Sequence, residues 1–408
     1  MSEPIYILGG YQTDFARVWS REGLDISDMI REASLGALAE SGIEPSHIDS
    51  IHVGNAFAEA QRQQGHLGAM VSQVVPELWG KPAMRHEGAC ASSSLATLTA
   101  MAEIEAGRYD CVLVVGAEEF KNLPGDQASE NQNSAAWRNR ENIDCRFMWP
   151  AVFGLLADEY EERYGLNREL LNQISDINYT NAKRNPLAQT RQWQFAEGSF
   201  SEDDALNPVI EPGVRRLHCG QITDGACALV LASGSFLKKH RMQSGKKALA
   251  RIEGWGHRNA GIRYRDKVER SKNQPYVFPH VRDAITDAFG RAGIQDVYQL
   301  DGIETHDCFS MTEYMAIDHL GMTPPGESWR AVENGTIAPG GRLPVNPSGG
   351  LIGCGHPVGA TGARMLLDAS RQVTASAGEM QIDGAGRVAT LNIGGSCATV
   401  CSFIVGRE

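Results

Sequence analysis

The sequence predicts an α/β protein of two similar halves, with a long segment inserted in the first. Three observations carry this expectation. Strand and helix patterns alternate along the chain, the alternation runs twice, and the two runs align at several points. "DSIHVGNAF" (49–57) laid over "DGIETHDCF" (301–309) matches Asp, Ile and Phe at one offset, and the helix before each ends in Gly-Ile, at Gly42-Ile43 and Gly293-Ile294. A second echo joins "ITDGACALVLAS" (222–233) to "VATLNIGGSCATVCSFIVG" (388–406), each a Gly/Ala-rich strand-hairpin candidate.

Taken in order, "PIYILGG" opens as a buried strand, apolar spacing predicts a helix from Met29 to Ser41, and "IDSIHVGNAF" returns as a strand. "HEGACASSS" (86–94) then leads into a helix whose apolar groups run through Leu95, Leu98, Met101 and Ala102 to a stop at Gly107. "CVLVVGAEE" is the next strand. From 121 to 210 the chain departs into a stretch rich in Asn, Gln, Arg and Trp, with a helix over Leu155–Tyr164 closed by Gly165; an excursion of this length is usually functional. The second half repeats helix and strand in "VRDAITDAFGRAGI" and "LDGIETHDCF". The organisation expected is a first half over 1–120 and 211–250, a loop domain over 121–210, and a second half over 251–408.

A chain of 408 residues buries a large core, and its 42% hydrophobic and 22% charged content is that of an ordinary globular protein. The net charge of −12 disfavours nucleic acid and anionic membrane as main partners. Nine cysteines, an odd number without paired spacing, disfavour a disulfide framework and point to a reducing compartment. Cys397 and Cys401 lack partners of metal-ligand type and read as packed thiols, so no metal is expected. No apolar run is long enough to cross a membrane, and the opening "MSEPIYILGG" carries no basic segment of a signal peptide.

Four stretches carry chemistry. Cys90 stands at or just before a helix N-terminus, where unpaired N–H groups and the helix dipole favour a thiolate; its alternative is a small buried hydrophobe. In "NPSGGLIGCGHPVGATG" (346–362), His356 precedes a proline that starts a helix, so it reads as an N-cap kept neutral and able to take a proton from a thiol. Its glycines have the wrong spacing for a dinucleotide loop. In "HDCFSMTEY", Ser310 and Glu313 form an S-x-x-E capping pattern, placing His306, Asp307 and Cys308 at the carboxyl end of a strand, where ligands bind in α/β sheets. In "NIGGSCATV", Gly394 and Gly395 let backbone approach a ligand and offer N–H donors; a glycine bulge is the alternative.

A cysteine opening a helix, "HDCF", "GHPVGATG" and "NIGG", in this order and spread over essentially the whole chain, resemble the thiolase superfamily, specifically its sterol-carrier-protein type. The resemblance implies a thiolase fold of duplicated βαβαβαββ halves in five αβαβα layers with an inserted loop domain. It implies coenzyme A or acyl-CoA as substrate with no permanently bound cofactor, and a homodimer or homotetramer. The end at Glu408, with no room for the carrier domain fused to some relatives and no peroxisomal tripeptide, gives the expectation of a free-standing cytoplasmic enzyme; some relatives work with a small partner protein of the oligonucleotide-binding fold, so complex formation is a further expectation. Carried over by position, Cys90 matches the acylated nucleophile and His356 its activating histidine. Most thiolases place a second cysteine where this chain has Asn392; in the sterol-carrier-protein branch that proton donor and acceptor comes from "HDCF", matching Cys308, with His306 in an oxyanion role. Gly394 with the Cys90 amide matches the other oxyanion hole. The activity implied is reversible Claisen condensation or thiolysis of CoA thioesters. Retro-aldolase relatives lose the nucleophilic cysteine that this chain keeps. The alternatives are acyl transfer to a non-CoA acceptor with a partner protein, and a non-catalytic scaffold binding acyl-CoA. Eight basic residues of the excursion, Arg138, Arg140, Arg146, Arg163, Arg168, Lys183, Arg184 and Arg191, are candidates for holding CoA phosphates, with a solvated face as their default.

Overall fold

The computed structural model describes residues 3–240 and 248–408. The first half runs β1 (Ile5–Gln12), α1 (Ile26–Ser41), β2 (Ser50–Gly54), α2 (Leu67–Val74), β3 (Ala83–His86), α3 (Ser92–Glu105) and β4 (Cys111–Glu118). It then leaves the sheet through a segment holding α4 (Met148–Tyr164) and α5 (Glu169–Ala182), and returns as β5 (Gly225–Ser233). The second half runs β6 (Ala250–Asn259), α6 (Pro279–Ala292), β7 (Gly302–Thr305), α7 (Ser310–Leu320), α8 (Thr361–Val373), β8 (Arg387–Gly394) and β9 (Thr399–Arg407).

The nine strands join in the order β3-β2-β4-β5-β1-β6-β9-β8-β7. Read outward from the centre, each half places its strands alike, and where β3 flanks β2, Val345 bridges to Ile303 in β7. The halves meet where Ile5, Tyr6 and Ile7 pair antiparallel with Ile252, Arg251 and Ala250. Three cores account for the layering. Helices α1 and α2 bury Met29, Ile30, Leu67 and Val71 against the outer face of the first half. Helices α3 and α8 fill the middle, where Ala96, Met101, Leu366 and Phe403 share one cluster. On the far side α6 and α7 pack under α4 and α5, uniting Phe153, Ile174, Ile285 and Met315. The two like halves expected from the repeats, and the layering implied by the resemblance, are therefore present.

The echo between the halves extends to their helix ends. Gly42 and Gly293 both stop a helix at φ 69°, a left-handed conformation that glycine adopts without Cβ strain. The hairpin expected over 222–233 is instead the single strand β5, because its hairpin partner β4 lies on the other side of the inserted segment. The hairpin over 388–406 forms as expected. The expected boundary between the halves at 250 and 251 falls at the start of β6, just after residues 241–247, which lie outside the described residues. Among the described residues no helix is long and apolar enough to cross a membrane.

Candidate active site

The four stretches meet where the middle helices begin. Cys90 sits in a tight turn ahead of α3 whose preceding residue, Ala89, has φ 49°, a conformation rare for a side-chain-bearing residue. Local hydrogen bonds hold that turn: Ala89 N–H donates to Glu87 Oε1 at 2.6 Å, and the Ser92 hydroxyl donates to the Ala89 carbonyl at 2.6 Å while accepting from Gly88 N–H at 3.0 Å. From the second half, His356 brings Nε2 to 3.3 Å from Cys90 Sγ. Its Nδ1 lies 2.7 Å from Thr361 Oγ1, whose hydroxyl donates to the Pro357 carbonyl. That pattern is satisfied when Nδ1 carries the imidazole proton and Nε2 is a bare acceptor facing the thiol.

His306 stands edge-on to His356, ring centroids 5.2 Å apart, and a ring nitrogen of each lies within 4.8 Å of Cys90 Sγ. Cys308 lines the same cavity as Cys90 and His356. Between them in sequence, Asp307 turns the other way: its carboxylate accepts from Leu351 N–H at 2.5 Å, Ile352 N–H at 3.2 Å and Asn178 Nδ2 at 2.9 Å. The two stretches that supply His306 and His356 are thereby tied together, and to the inserted segment through α5. A Cβ at Gly350 would lie 2.3 Å from that carboxylate, so the close approach requires glycine there.

Gly394 ends β8 pressed against the Gly88 carbonyl, where a Cβ would come within 2.1 Å. The next residue, Gly395, at φ 59°, directs its N–H to the Cys90 sulfur. The sequence thus located the turn, and the structure distributes its work: Gly394 permits the contact and Gly395 donates. The cavity before Cys90 measures about 80 Å³ and takes apolar walls from Phe57, Trp149, Phe153, Phe309 and Val358. A wider cleft of about 780 Å³ adjoins it, sharing Phe57, Ala89, Ala135 and Gly395.

Burial sets the protonation states. It pushes the Cys90 thiol up to about 12, correcting the expectation of a thiol lowered by the helix start: among the described residues no cation offsets the burial, and desolvation outweighs the N–H contact from Gly395. Burial, followed by the charge of Arg364, pulls His356 down to about 3. His306 is likewise held well below its usual range, by burial and then by His356, and Cys308 well above, by burial and then by Cys90. All four groups rest neutral near pH 7.

Two local expectations are corrected. His356 is not an N-cap: a short 3₁₀ turn over Val358–Ala360 separates it from α8, and its backbone N–H donates to Thr223 Oγ1, so its neutrality comes from burial and Arg364 rather than from a dipole. The Ser310–Glu313 capping box does not form. Helix α7 already starts at Ser310, and Glu313 is drawn inward to Asn178 and Asn346. Of the eight basic residues in the excursion, Arg138, Arg146, Arg163, Arg168 and Arg191 are ion-paired to carboxylates, and none of the eight lines the cavity around Cys90.

Sequence reasoning passed over Arg364, a guanidinium 0% exposed that pairs with Glu304 and Asp368 at 2.8 and 2.9 Å behind the two imidazoles. It also passed over Glu118, whose buried carboxylate gathers the N–H groups of Ala56, Phe57 and Gly359 and the Asn55 amide around the cavity rim. The only sequence signal for either was a charge inside an otherwise buried element.

Comparison with known proteins gives a consistent result. The thiolase N-terminal domain family matches residues 5–235, and the thiolase C-terminal domain-like family matches 264–407. An acetyl-CoA acetyltransferase of Methanothermobacter thermautotrophicus is 30% identical over 405 residues, covering 99% of both chains. Sterol carrier protein 2 of Gallus gallus is 28% identical, covering 100% of this chain and 72% of its own. Among solved structures, an Ltp2-ChsH2(DUF35) aldolase superposes with a TM-score of 0.77 at 20% identity, covering 100% of this chain and 98% of the other, a likeness of fold.

Proposed function

The chain belongs to the thiolase family and is an acyltransferase, and from that premise we propose that it makes and breaks the carbon–carbon bond beside a CoA thioester through an acyl group carried on Cys90. The observation that carries this reading is the neutral thiol–imidazole pair of Cys90 and His356, 3.3 Å apart, at one small apolar cavity with a second thiol, Cys308. Such a reaction needs a covalent acyl carrier, a base, a carbon acid–base and donors for two oxyanions.

In thiolysis, Cys90 Sγ attacks the 3-keto carbon of a 3-oxoacyl-CoA as His356 Nε2 takes the thiol proton. The bond between C2 and C3 breaks, its electron pair leaving as the enolate of acetyl-CoA, and the Cys308 thiol protonates C2. The proton on His356 returns to Cys308 to reset it. CoA thiol then attacks the acyl group, its proton passing to His356 and on to the departing Cys90 sulfur. In reverse, acetyl-CoA acetylates Cys90 with release of CoA thiol, the Cys308 thiol passes its proton to His356, the resulting thiolate removes an α-proton from a second acetyl-CoA, and condensation gives acetoacetyl-CoA as the proton on His356 returns to the Cys90 sulfur. His306 stabilises the enolate oxygen, and the N–H groups of Cys90 and of the Gly394–Gly395 turn stabilise the tetrahedral oxyanion. A resting thiol of high pKa suits this scheme, because its proton leaves in the attacking step, to a base already in place.

A second reading keeps the acyl-Cys90 step and passes the acyl group to a non-CoA acceptor with the help of a small partner protein. The likeness to the Ltp2-ChsH2(DUF35) aldolase prompts it. In either case the enzyme works as a homo-oligomer.

Incubation with acetyl-CoA, intact-mass measurement and peptide mapping test the reading. One acetyl group on the 86–94 peptide is expected. An intact thiol with CoA esters bound but not transferred would refute the covalent step, and so would full thiolysis of acetoacetyl-CoA by Cys90→Ala.

A further inference from the structure

Asn392 is 1% exposed, lies on β8 beside the cavity, and has no part in the steps above. Three contacts fix its amide. One terminal atom lies 3.1 Å from the Cys90 carbonyl oxygen and 3.1 Å from His306 Nδ1, and the other lies 2.7 Å from Ser94 Oγ. A carbonyl oxygen can only accept, so the atom facing Cys90 O is the NH₂ nitrogen, and the amide oxygen takes the Ser94 hydroxyl proton. The reversed amide would set oxygen against oxygen at Cys90, and that contact decides its orientation.

The consequence falls on the histidine. A donor aimed at His306 Nδ1 requires that nitrogen to be bare, and a neutral imidazole then carries its single proton on Nε2. His356 is arranged in the opposite sense, with Nδ1 toward Thr361 and a bare Nε2 toward the thiol. Two histidines 5.2 Å apart therefore present opposite polarities, one as acceptor and one as donor.

We propose that Asn392 is the positioning residue that locks His306 in its Nε2–H form, making that ring a hydrogen-bond donor beside a histidine that serves as base. The role of the donor rests on the oxyanion reading of His306 given above; the lock itself does not.

The test uses protein labelled with ¹⁵N-histidine, with the His306 signals assigned by their loss in His306→Asn. In the unaltered protein, His306 Nδ1 is expected to resonate as a bare nitrogen and Nε2 as a protonated one. In Asn392→Asp the facing atom only accepts, so Nδ1 gains the proton. Condensation kcat then falls about 10²-fold, as for loss of one oxyanion donor, and by more than Cys90 acetylation, which loses only the amide's bond to the Cys90 carbonyl. A proton on Nδ1 in the unaltered protein, or no change at Nδ1 in Asn392→Asp, overturns the proposal. A switched Nδ1 with unchanged kcat upholds the lock and overturns the oxyanion reading instead. If Asn392→Asp does not fold, Asn392→Ala removes the donor without adding charge. His306 should then populate both neutral forms, and retention of pure Nε2–H overturns the proposal.

Discussion

The pair β4–β5 in the first half and the pair β8–β9 in the second hold equivalent places in the sheet, yet they close differently. The second closes in the tight turn over 395–398; the first opens into the segment over 119–224. The closed turn contributes main-chain donors, with Gly395 N–H on the sulfur and Gly394 tight against Gly88. The opened one contributes side chains, with Trp149 and Phe153 walling the cavity and Asn178 anchoring Asp307. Position within the repeat decides whether a connection is near the chemistry, and its length decides what it supplies. A short connection fixes atoms to tenths of an ångström, and a long one shapes space.

That contrast predicts large losses in kcat at the core turns and small changes from the insertion. His356→Ala removes the acceptor held ahead of the 3₁₀ turn that leads into α8, and acylation of Cys90 by acetyl-CoA should slow by roughly 10³- to 10⁴-fold in single-turnover measurements. Gly394→Ala forces the closed turn away from Gly88, and a displacement of that kind should lower kcat/KM by about 10²-fold with little change in melting temperature. Equal activity would show that the tightness of this turn is dispensable. Iodoacetamide inactivation at Cys90 should climb about tenfold per pH unit from about pH 6 to about pH 9, because the fraction of thiolate keeps growing below a pKa pushed up to about 12. A rate that bends over at about pH 8.5 would show an ordinary thiol, and one that levels near about pH 7 a lowered one. On the insertion side, Glu211 accepts N–H from Arg146 and Phe147 at the start of α4. Glu211→Gln should cost about 1 kcal/mol in denaturant titration and leave kcat within about twofold.

Much of the site was legible because catalytic turns are written in residues with few other uses. Cys90 ahead of a run of serines, His356 beside Pro357, and Gly394-Gly395 at a strand end each announce backbone geometry that an ordinary helix or strand does not need. What escaped were properties that arise only when distant segments meet. Arg364 and Asp368 lie on α8, where charge reads as a solvated face, but α8 runs between the two halves and both side chains are buried. The pattern Ser310 to Glu313 matched a capping box, and tertiary partners outcompeted it. The thiol of Cys90 was read from its helix alone, whereas its pKa follows from how little water and positive charge surround it. Asn392 reads only as the replacement of a cysteine until Cys90, Ser94 and His306 are placed around it.

The inserted segment leaves and rejoins the sheet at paired residues, Glu118 beside Gly225, and one carboxylate, that of Asp224, accepts the N–H groups of both Phe120 and Lys121 just above that neck. Its two ends are thus clasped side by side on one strand pair. Substitutions inside the segment therefore reshape the cavity wall at Trp149 and Phe153 while its two ends stay pinned to one strand pair.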